Sequence, residues 1–541
     1  MRTFESQSIG ILPLTSASKH LAWAVCVSVA FVSLLSLCFT PIWETNDDVG
    51  MSMIAHGYGF VAQSSPNLIF SNVLWGHIIQ AMPQFGHAFG YTVATTLTIT
   101  VSCAATLYFI LRIGVARLHA TIAVGMVFIW PVLFPQFTLN SGLLAVASIL
   151  GWRVYAETRS TADLILASSL AFFSFLIRDQ QFWLVLAVSL PLYPWKFLAR
   201  DRKLQVAIVL LAMSIAGSVL LNQAAYDTSA WKQFAEFNQA RAPYTDFRAG
   251  DEVRNRPDVL ARHGYSPNDI DLISEWFFVD PQLTNAVKLN AMLTDVGLRR
   301  WVQRGFGMGV ESLRMMFVDR LWPMLACALL IALISPSRSV FILIVMTAAA
   351  VFALGAIGRP GVTRVQYPLC ALLLLVALSG LSTRPRRIHG VAALMLVAAS
   401  AATVYAVWPY EAVASSRVRE AQKQMQELPK GTLAVWGGAF PYEAAFPPFG
   451  EPARAHSVQL YPMGVTTFAP FSIAIHEEAA GRGFLTRLTS AAGLNLSVGP
   501  PQAELLRGYC KEHFRSQLAD RVIYEYDNLV IHNMRCIGPQ P

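Results

Sequence analysis

The chain has 541 residues, 54% of them hydrophobic and only 14% charged, where a soluble domain carries about 25% charged residues. Uncharged stretches long enough to cross a bilayer recur, which excludes an ordinary soluble enzyme and indicates a polytopic helical membrane protein. The net charge of +8 is concentrated in short loops between apolar stretches, where it sets topology; with no zinc-type or phosphate-loop spacing beside it, nucleic acid is not expected as a partner.

Eleven spans are predicted in chain order, at about 20–41, 88–111, 119–137, 139–156, 160–178, 181–197, 204–223, 319–335, 338–357, 364–381 and 388–408. The first reads as a retained helix. Its apolar run exceeds a signal-peptide core, and Phe39-Thr40-Pro41-Ile42-Trp43 offers no small-x-small cleavage site. Basic residues mark every second loop: Arg112 and Arg117; Arg153 and Arg159; Lys196, Arg200, Arg202 and Lys203; Arg338; Arg384, Arg386 and Arg387. That alternation places the N-terminus in the cytoplasm. The opposite face then receives residues 42–87, the turn Arg178-Asp179-Gln180-Gln181, the long loop 224–318, the loop Gly358–Arg364 and the tail 409–541. Within 42–87, two short helices at about 48–60 and 66–83 are expected to lie at the interface, because Asn67, Asn72, His77 and Gln80 make the second too polar to span. The helical end of the long loop, about 281–304, is a candidate lid.

The tail differs in composition. Leu433–Trp436 and Val522–Ile531 read as strands and Gln502–Leu518 as an amphipathic helix. The predicted fold is therefore an all-α membrane domain over 1–408 with a small C-terminal soluble α/β or α+β domain over 409–541. Cys26, Cys38, Cys103, Cys327 and Cys370 lie in apolar spans and read as small hydrophobes. Cys510 and Cys536 can pair if the tail is outside the cytoplasm.

Asp47 and Asp48 follow the first span directly, in Trp43-Glu44-Thr45-Asn46-Asp47-Asp48. Carboxylates at a helix mouth are costly unless hydrated, paired or used. They can cap a helix, as Asn46 can, or serve as a general base or as ligands for a divalent cation such as Mg or Mn. Arg178, beside Asp179 and Gln180, and the pair Arg359 and Arg364, ahead of Tyr367, run against the positive-inside bias. Each is a charged helix end or tight turn on the bland reading and a phosphate ligand on the functional one. His56, His77 and His87 share the first outer loop without a ligand spacing, which favours packing over metal binding. Asp246, Arg248, Asp251 and Glu252 read as a solvated face.

An acidic pair after the first helix, two helices in that loop, many spans and an external C-terminal domain together resemble the GT-C superfamily of integral-membrane glycosyltransferases. The stretch Asn46-Asp47-Asp48-Val49-Gly50-Met51, followed by Asn67-Leu68-Ile69-Phe70-Ser71-Asn72-Val73-Leu74-Trp75-Gly76, is similar to bacterial members of uncertain substrate. The resemblance implies a polyprenyl-phosphate-sugar donor, a hydroxyl acceptor outside the cytoplasm, inversion, and residence in a bacterial inner membrane. It implies Asp47 as the base and Asp48 as a residue that orients it or helps bind a cation. Asn46, His56, Asp179, Gln180 and Tyr367 are supporting candidates. Arg178, Arg359 and Arg364 are proposed on charge alone for the donor phosphate. The Trp-Trp-Asp motif of oligosaccharyltransferases is absent. A polysaccharide polymerase or ligase, and a transporter or lipid flippase, are the competing readings; the second requires midplane charges and repeated broken helices, which the sequence lacks.

Overall fold

The computed structural model describes residues 16–193, 195–298, 305–318, 320–526 and 529–538. Ten of the eleven expected spans each fall on one helix. α1 (Ser16–Cys38) leads to α2 (Asn46–His56) and α3 (Val73–Ala81), the two short helices of the first outer loop. The bundle continues with α4 (Gly90–Arg112), α5 (Arg117–Leu133), α6 (Phe137–Thr158), α7 (Thr161–Ile177), α8 (Asp179–Val188), α9 (Trp195–Leu198) and α10 (Arg202–Ala225). Among the described residues, seven helices are long and apolar enough to cross a membrane by themselves. The expected span at 181–197 is broken: ten residues of α8 reach only about 15 Å, half the hydrocarbon core.

The long outer loop is helical: α11 (Ser229–Asp246), α12 (Ala249–Arg254), α13 (Pro257–His263), α14 (Pro267–Ser274) and α15 (Ala286–Asp295). The expected lid at 281–304 extends beyond the described residues, and inside them α15 packs on α11 and α13. The chain returns through α16 (Phe306–Val318), α17 (Trp322–Ile334), α18 (Arg338–Ala356), α19 (Thr363–Ser379) and α20 (Arg386–Gln424). At 39 residues, α20 is about 58 Å long and overshoots the bilayer. Residue 408 therefore lies inside a helix, and the sheet-bearing part begins after Gln424.

α6 and α19 form the buried centre of the bundle, while α1, α10, α18 and α20 expose leucines and valines outward, such as Leu37 at 85% and Leu220 at 65%. Burying α2 reverses the expectation that it lies on the lipid surface: Val49, Met51, Met53 and Ile54 are all inside the protein. The basic loops gather at the end of the bundle away from α2. There Arg112 meets Asp163 at 3.1 Å and Arg159 meets Asp201 at 2.5 Å, so neighbouring loops neutralise one another.

Above α2 lies a mixed sheet of order β2-β1-β3-β5-β4. Its strands are β1 (Leu433–Val435), β2 (Leu460–Pro462), β3 (Leu494–Ser497), β4 (Gln517–Tyr526) and β5 (Leu529–Ile537). β1 pairs parallel with β2 and β3; β5 pairs antiparallel with β3 and β4. The strand expected at Val522–Ile531 falls across the end of β4 and the start of β5, with 527–528 outside the described residues. α21 (Tyr442–Ala445), α22 (Pro452–His456), α23 (Ile473–Ala479), α24 (Phe484–Thr489) and α25 (Pro500–Phe514) complete this part. It does not fold apart from the outer loop. Phe277 and Phe278 after α14 join Trp436, Tyr461, Leu496 and Tyr509 in one core. The sheet also docks below, where the Trp43 indole donates to the Phe446 carbonyl at 3.0 Å and the Thr92 hydroxyl to the Pro448 carbonyl at 2.7 Å.

Cys510 and Cys536 are joined, tying α25 to β5 across 26 residues. Replacing both with serine is expected to cost the outer body about 3 kcal/mol through the freed unfolded chain. The measurement is the denaturation midpoint of the sheet's tryptophan signal; the same midpoint in the wild type and the double variant refutes it.

Candidate active site

Helix α2 begins at Asn46, so Asp47 and Asp48 are successive helical residues pointing about 100° apart. They cannot share a function on one face. Asp48 is fully buried. Its Oδ1 accepts from the Tyr91 hydroxyl at 2.8 Å and from the Phe137 backbone N–H at 3.0 Å; its Oδ2 accepts from the Thr45 hydroxyl at 3.2 Å. Burial pushes the carboxyl well above the usual range, and these hydrogen bonds pull against it. Asp48 thus caps α6 from a distance and ties α2 to α4. It does not reach the site as a cation ligand.

Asp47 points the other way, into a cavity of about 1400 Å³. Arg364 lies 3.9 Å from its Oδ2. Burial raises the Asp47 carboxyl above its ordinary value; Arg364 and Arg178 oppose that rise and Asp246 adds to it. Arg178 stands at the α7–α8 junction, where its guanidinium donates to the Phe70 carbonyl at 2.9 Å and to Gln180 Oε1 at 3.0 Å. Arg359 approaches Asp246 at 3.5 Å, and Arg241 approaches the other oxygen of Asp246 at 3.3 Å. Asn46, Asp47, Gln180 and all three predicted arginines line this one cavity, although they come from three separate outer segments.

The first turns of α2, α6, α8, α19 and α25 also line it, through Asn46, Phe137, Gln180, Arg364 and Gln502. Their partial positive ends add to the arginines and favour an anionic ligand. Three predicted supporters lie elsewhere. His56 Nε2 accepts from the Tyr91 N–H at 3.0 Å, its ring stacks on Phe89, and burial with His456 nearby lowers it to about 4. Tyr367 is buried and donates to the Val127 carbonyl at 2.8 Å. Asp179 accepts the Gln180 N–H at 2.8 Å outside the cavity lining. Conversely, Arg241, Asp246, Glu275 and Trp276 line the cavity and were not predicted; Asp246 in particular reads as solvated in sequence. No local pattern marks them, since the outer loop meets the membrane face only through the tertiary fold.

The divalent cation expected from Asp47 and Asp48 together does not fit. One carboxylate is consumed by three donors, and the other faces arginine. Among the described residues, one group of three could hold a metal, Asp269, Glu512 and His513, whose ligand atoms lie within 4.8 Å of one another. None of them lines the cavity. Ser266 bonds both carboxylates and His513 bonds Asp269 at 2.8 Å, so the group reads as the cap of α14 fastened to α25.

No family model matches the chain, and no curated protein matches it. Among solved structures it is similar to ArnT from Cupriavidus metallidurans in the apo state, at 12% identity and a TM-score of 0.39, over 97% of this chain and 100% of that one. It is also similar to the same protein bound to undecaprenyl phosphate, at 12% identity and a TM-score of 0.35, over the same shares.

The two aspartates are expected to separate in stability. Asp48→Ala leaves the Tyr91 hydroxyl and Phe137 N–H without an acceptor and should cost about 3 kcal/mol. Asp47 ionises at a cost to the fold because its carboxyl is raised, a cost incurred as pH rises through its folded value. Asp47→Asn should therefore melt higher than wild type at neutral pH, and this gain should vanish below the ordinary carboxylate range of about 3.9. Thermal melts of purified protein across pH decide both; a stabilised Asp48→Ala or a destabilised Asp47→Asn contradicts the assignment.

Proposed function

We propose that the chain transfers a sugar from a polyprenyl-phosphate-linked donor to a hydroxyl acceptor at the outer face of a bacterial inner membrane. The single observation behind this is the joint presence, in one cavity, of a carboxylate with raised basicity and an arginine-rich, helix-N-terminal wall. Proton removal and charge development on a leaving phosphate need those two features side by side. At about 1400 Å³ the space exceeds a usual single-ligand pocket of roughly 300–1,000 Å³, leaving room for two substrates. Ile69, Phe70, Leu184 and Leu354 give one part of its wall the apolar character a lipid tail requires.

In this reading Asp47 accepts the proton of the acceptor hydroxyl as its oxygen attacks the anomeric carbon. The bond from that carbon to the phosphate oxygen breaks, and the phosphate leaves with the electron pair. Attack from the face opposite the phosphate inverts the configuration. Arg364 and Arg178 bind the phosphate and stabilise its growing charge. Arg359, engaged by Asp246, flanks it. Asp48 positions α2. The Cys510–Cys536 disulfide supports a periplasmic outer body, and the basic loops at the far end of the bundle support a cytoplasmic N-terminus.

Labelled polyprenyl-phosphate sugar supplied to membranes carrying the protein tests the reading. Asp47→Asn should lose about 10²–10⁴-fold of the transfer rate, the usual contribution of a positioned base; undiminished transfer ends the proposal. The pH profile gives an independent check. Transfer should fall on the acid side as Asp47 takes up a proton, at a pH above that of an ordinary aspartate. Arg364 holds the Asp47 carboxyl down, so Arg364→Gln should move that acid limb to higher pH. A limb that stays put or moves to lower pH means that Asp47 is not the titrating group.

A further inference from the structure

One residue of the cavity wall has a backbone that its side chain does not suit. Trp276 follows α14 in the left-handed region, at φ 68°. Its N–H bonds to the Ile273 carbonyl at 3.1 Å, and the Phe277 N–H bonds to the Leu272 carbonyl at 2.9 Å. This pattern is a Schellman close, whose left-handed position is usually glycine because any Cβ is strained there. A glycine would end α14 with less strain, so the tryptophan is accounted for by its ring rather than by the turn. Strain of this kind concentrates at functional sites and persists only where surrounding contacts over-determine it.

Those contacts are present. The Trp436 indole donates to the Glu275 carbonyl at 2.6 Å, and Gln502 Nε2 donates to the Glu275 carboxylate at 3.0 Å. The Arg241 guanidinium sits 4.4 Å from the Trp276 ring centroid. The half-buried ring still opens on the cavity. The same lining carries Gln239 and Thr466 beside the bonded pair Glu275 and Gln502, a mixture of donors and acceptors. A hydrocarbon chain would offer these polar groups no partner. A sugar ring satisfies both features, because its C–H face suits a flat aromatic surface and its hydroxyls both donate and accept.

We propose that Trp276 is the platform for a glycan, and that the acceptor hydroxyl is carried on a sugar rather than on a bare lipid alcohol. This rests on the transferase reading for the word acceptor; the carbohydrate site itself does not. Trp276 lies on the outer body, and the phosphate-binding arginines Arg178 and Arg364 lie on the membrane domain, so the two substrates enter from different sides of one space.

The test uses the full chain in phospholipid nanodiscs and saturation-transfer NMR, with maltose, lactose and N,N′-diacetylchitobiose as probes. At least one disaccharide should receive saturation from the wild type. Its signal should drop by about fivefold in Trp276→Leu, the loss expected for one aromatic contact, and persist in Trp276→Tyr, which keeps a flat ring at the same backbone position. Trp276→Gly should lose the sugar signal yet melt no lower than Trp276→Leu, since glycine relieves the strained turn; this separates loss of the ring from loss of the fold. Absence of saturation in the wild type, equal saturation in Trp276→Leu, or displacement of the sugar by farnesol in a Trp276-dependent manner overturns the glycan assignment. Undecaprenyl phosphate retention, read by native mass spectrometry with Arg178→Ala and Arg364→Ala as controls, reports on the donor separately. If the lipid phosphate fails to bind while the sugar signal stands, the transferase reading falls and the carbohydrate site remains.

Discussion

The carboxylate of Asp48, sealed from solvent between Thr45, Tyr91 and Phe137, is the contact on which the site depends. It joins the start of α2 to the first turn of α4 and to the first turn of α6. A buried carboxylate is expensive unless every lone pair facing protein finds a donor. Here the donors come from residues separated from it by three, 43 and 89 positions. The connection therefore forms only when α2, α4 and α6 are in register. Glu44 reinforces the same corner: Arg320 pairs with it at 2.8 Å and lies over the Trp130 ring. With α2 fixed in rotation, Asp47 has one direction left, and that direction is the cavity.

The cavity then inherits an alternating arrangement of charge. Asp47 faces Arg364, while Asp246 holds Arg359 and Arg241 apart from it. Four arginines in one space would repel one another without these carboxylates. The result is a wall that is net cationic, with Arg364, Arg359 and Arg241 each beside a carboxylate and Arg178 held by the Phe70 carbonyl and Gln180. Helix N-termini contribute in the same sense without carrying any mobile charge. Such a field favours an anion and disfavours a chelated divalent cation.

Sequence reading reached the apolar spans because a bilayer demands them residue by residue. It reached Arg178, Arg359 and Arg364 because arginine outside the membrane violates a topological bias, which is a local signal. Asp47 and Cys510–Cys536 were reachable for similar reasons. Asp47 and Asp48 are adjacent in sequence, yet a helix starting at this point separates their side chains by about 100°, so one faces the cavity and the other the protein interior. Three other features left no trace. The shared core of the outer loop and the sheet, built by Phe277 and Trp436, links segments some 160 residues apart. Asp246 looks like any exposed acid until Arg359 is placed beside it. The length of α20 hides the true junction, since its polar C-terminal half carries the helix on past the last apolar residue of the span.

That junction bears on how the two halves of the site are built. The membrane half is set by Asp48 and by helix packing inside the bilayer, where a change of register would strand buried polar groups. The outer half shares one buried core with the long outer loop and is closed by a disulfide, while its other face, through Leu433, Leu460, Phe471 and Ile531, enters the same core as Trp43, Val49 and Tyr58 of the membrane half. Asp47, Arg178 and Arg364 therefore belong to the membrane half. Trp276, Glu275 and Gln502 belong to the other. Substitutions on the outer body can therefore reshape one wall of the cavity without touching Asp47 on the opposite half.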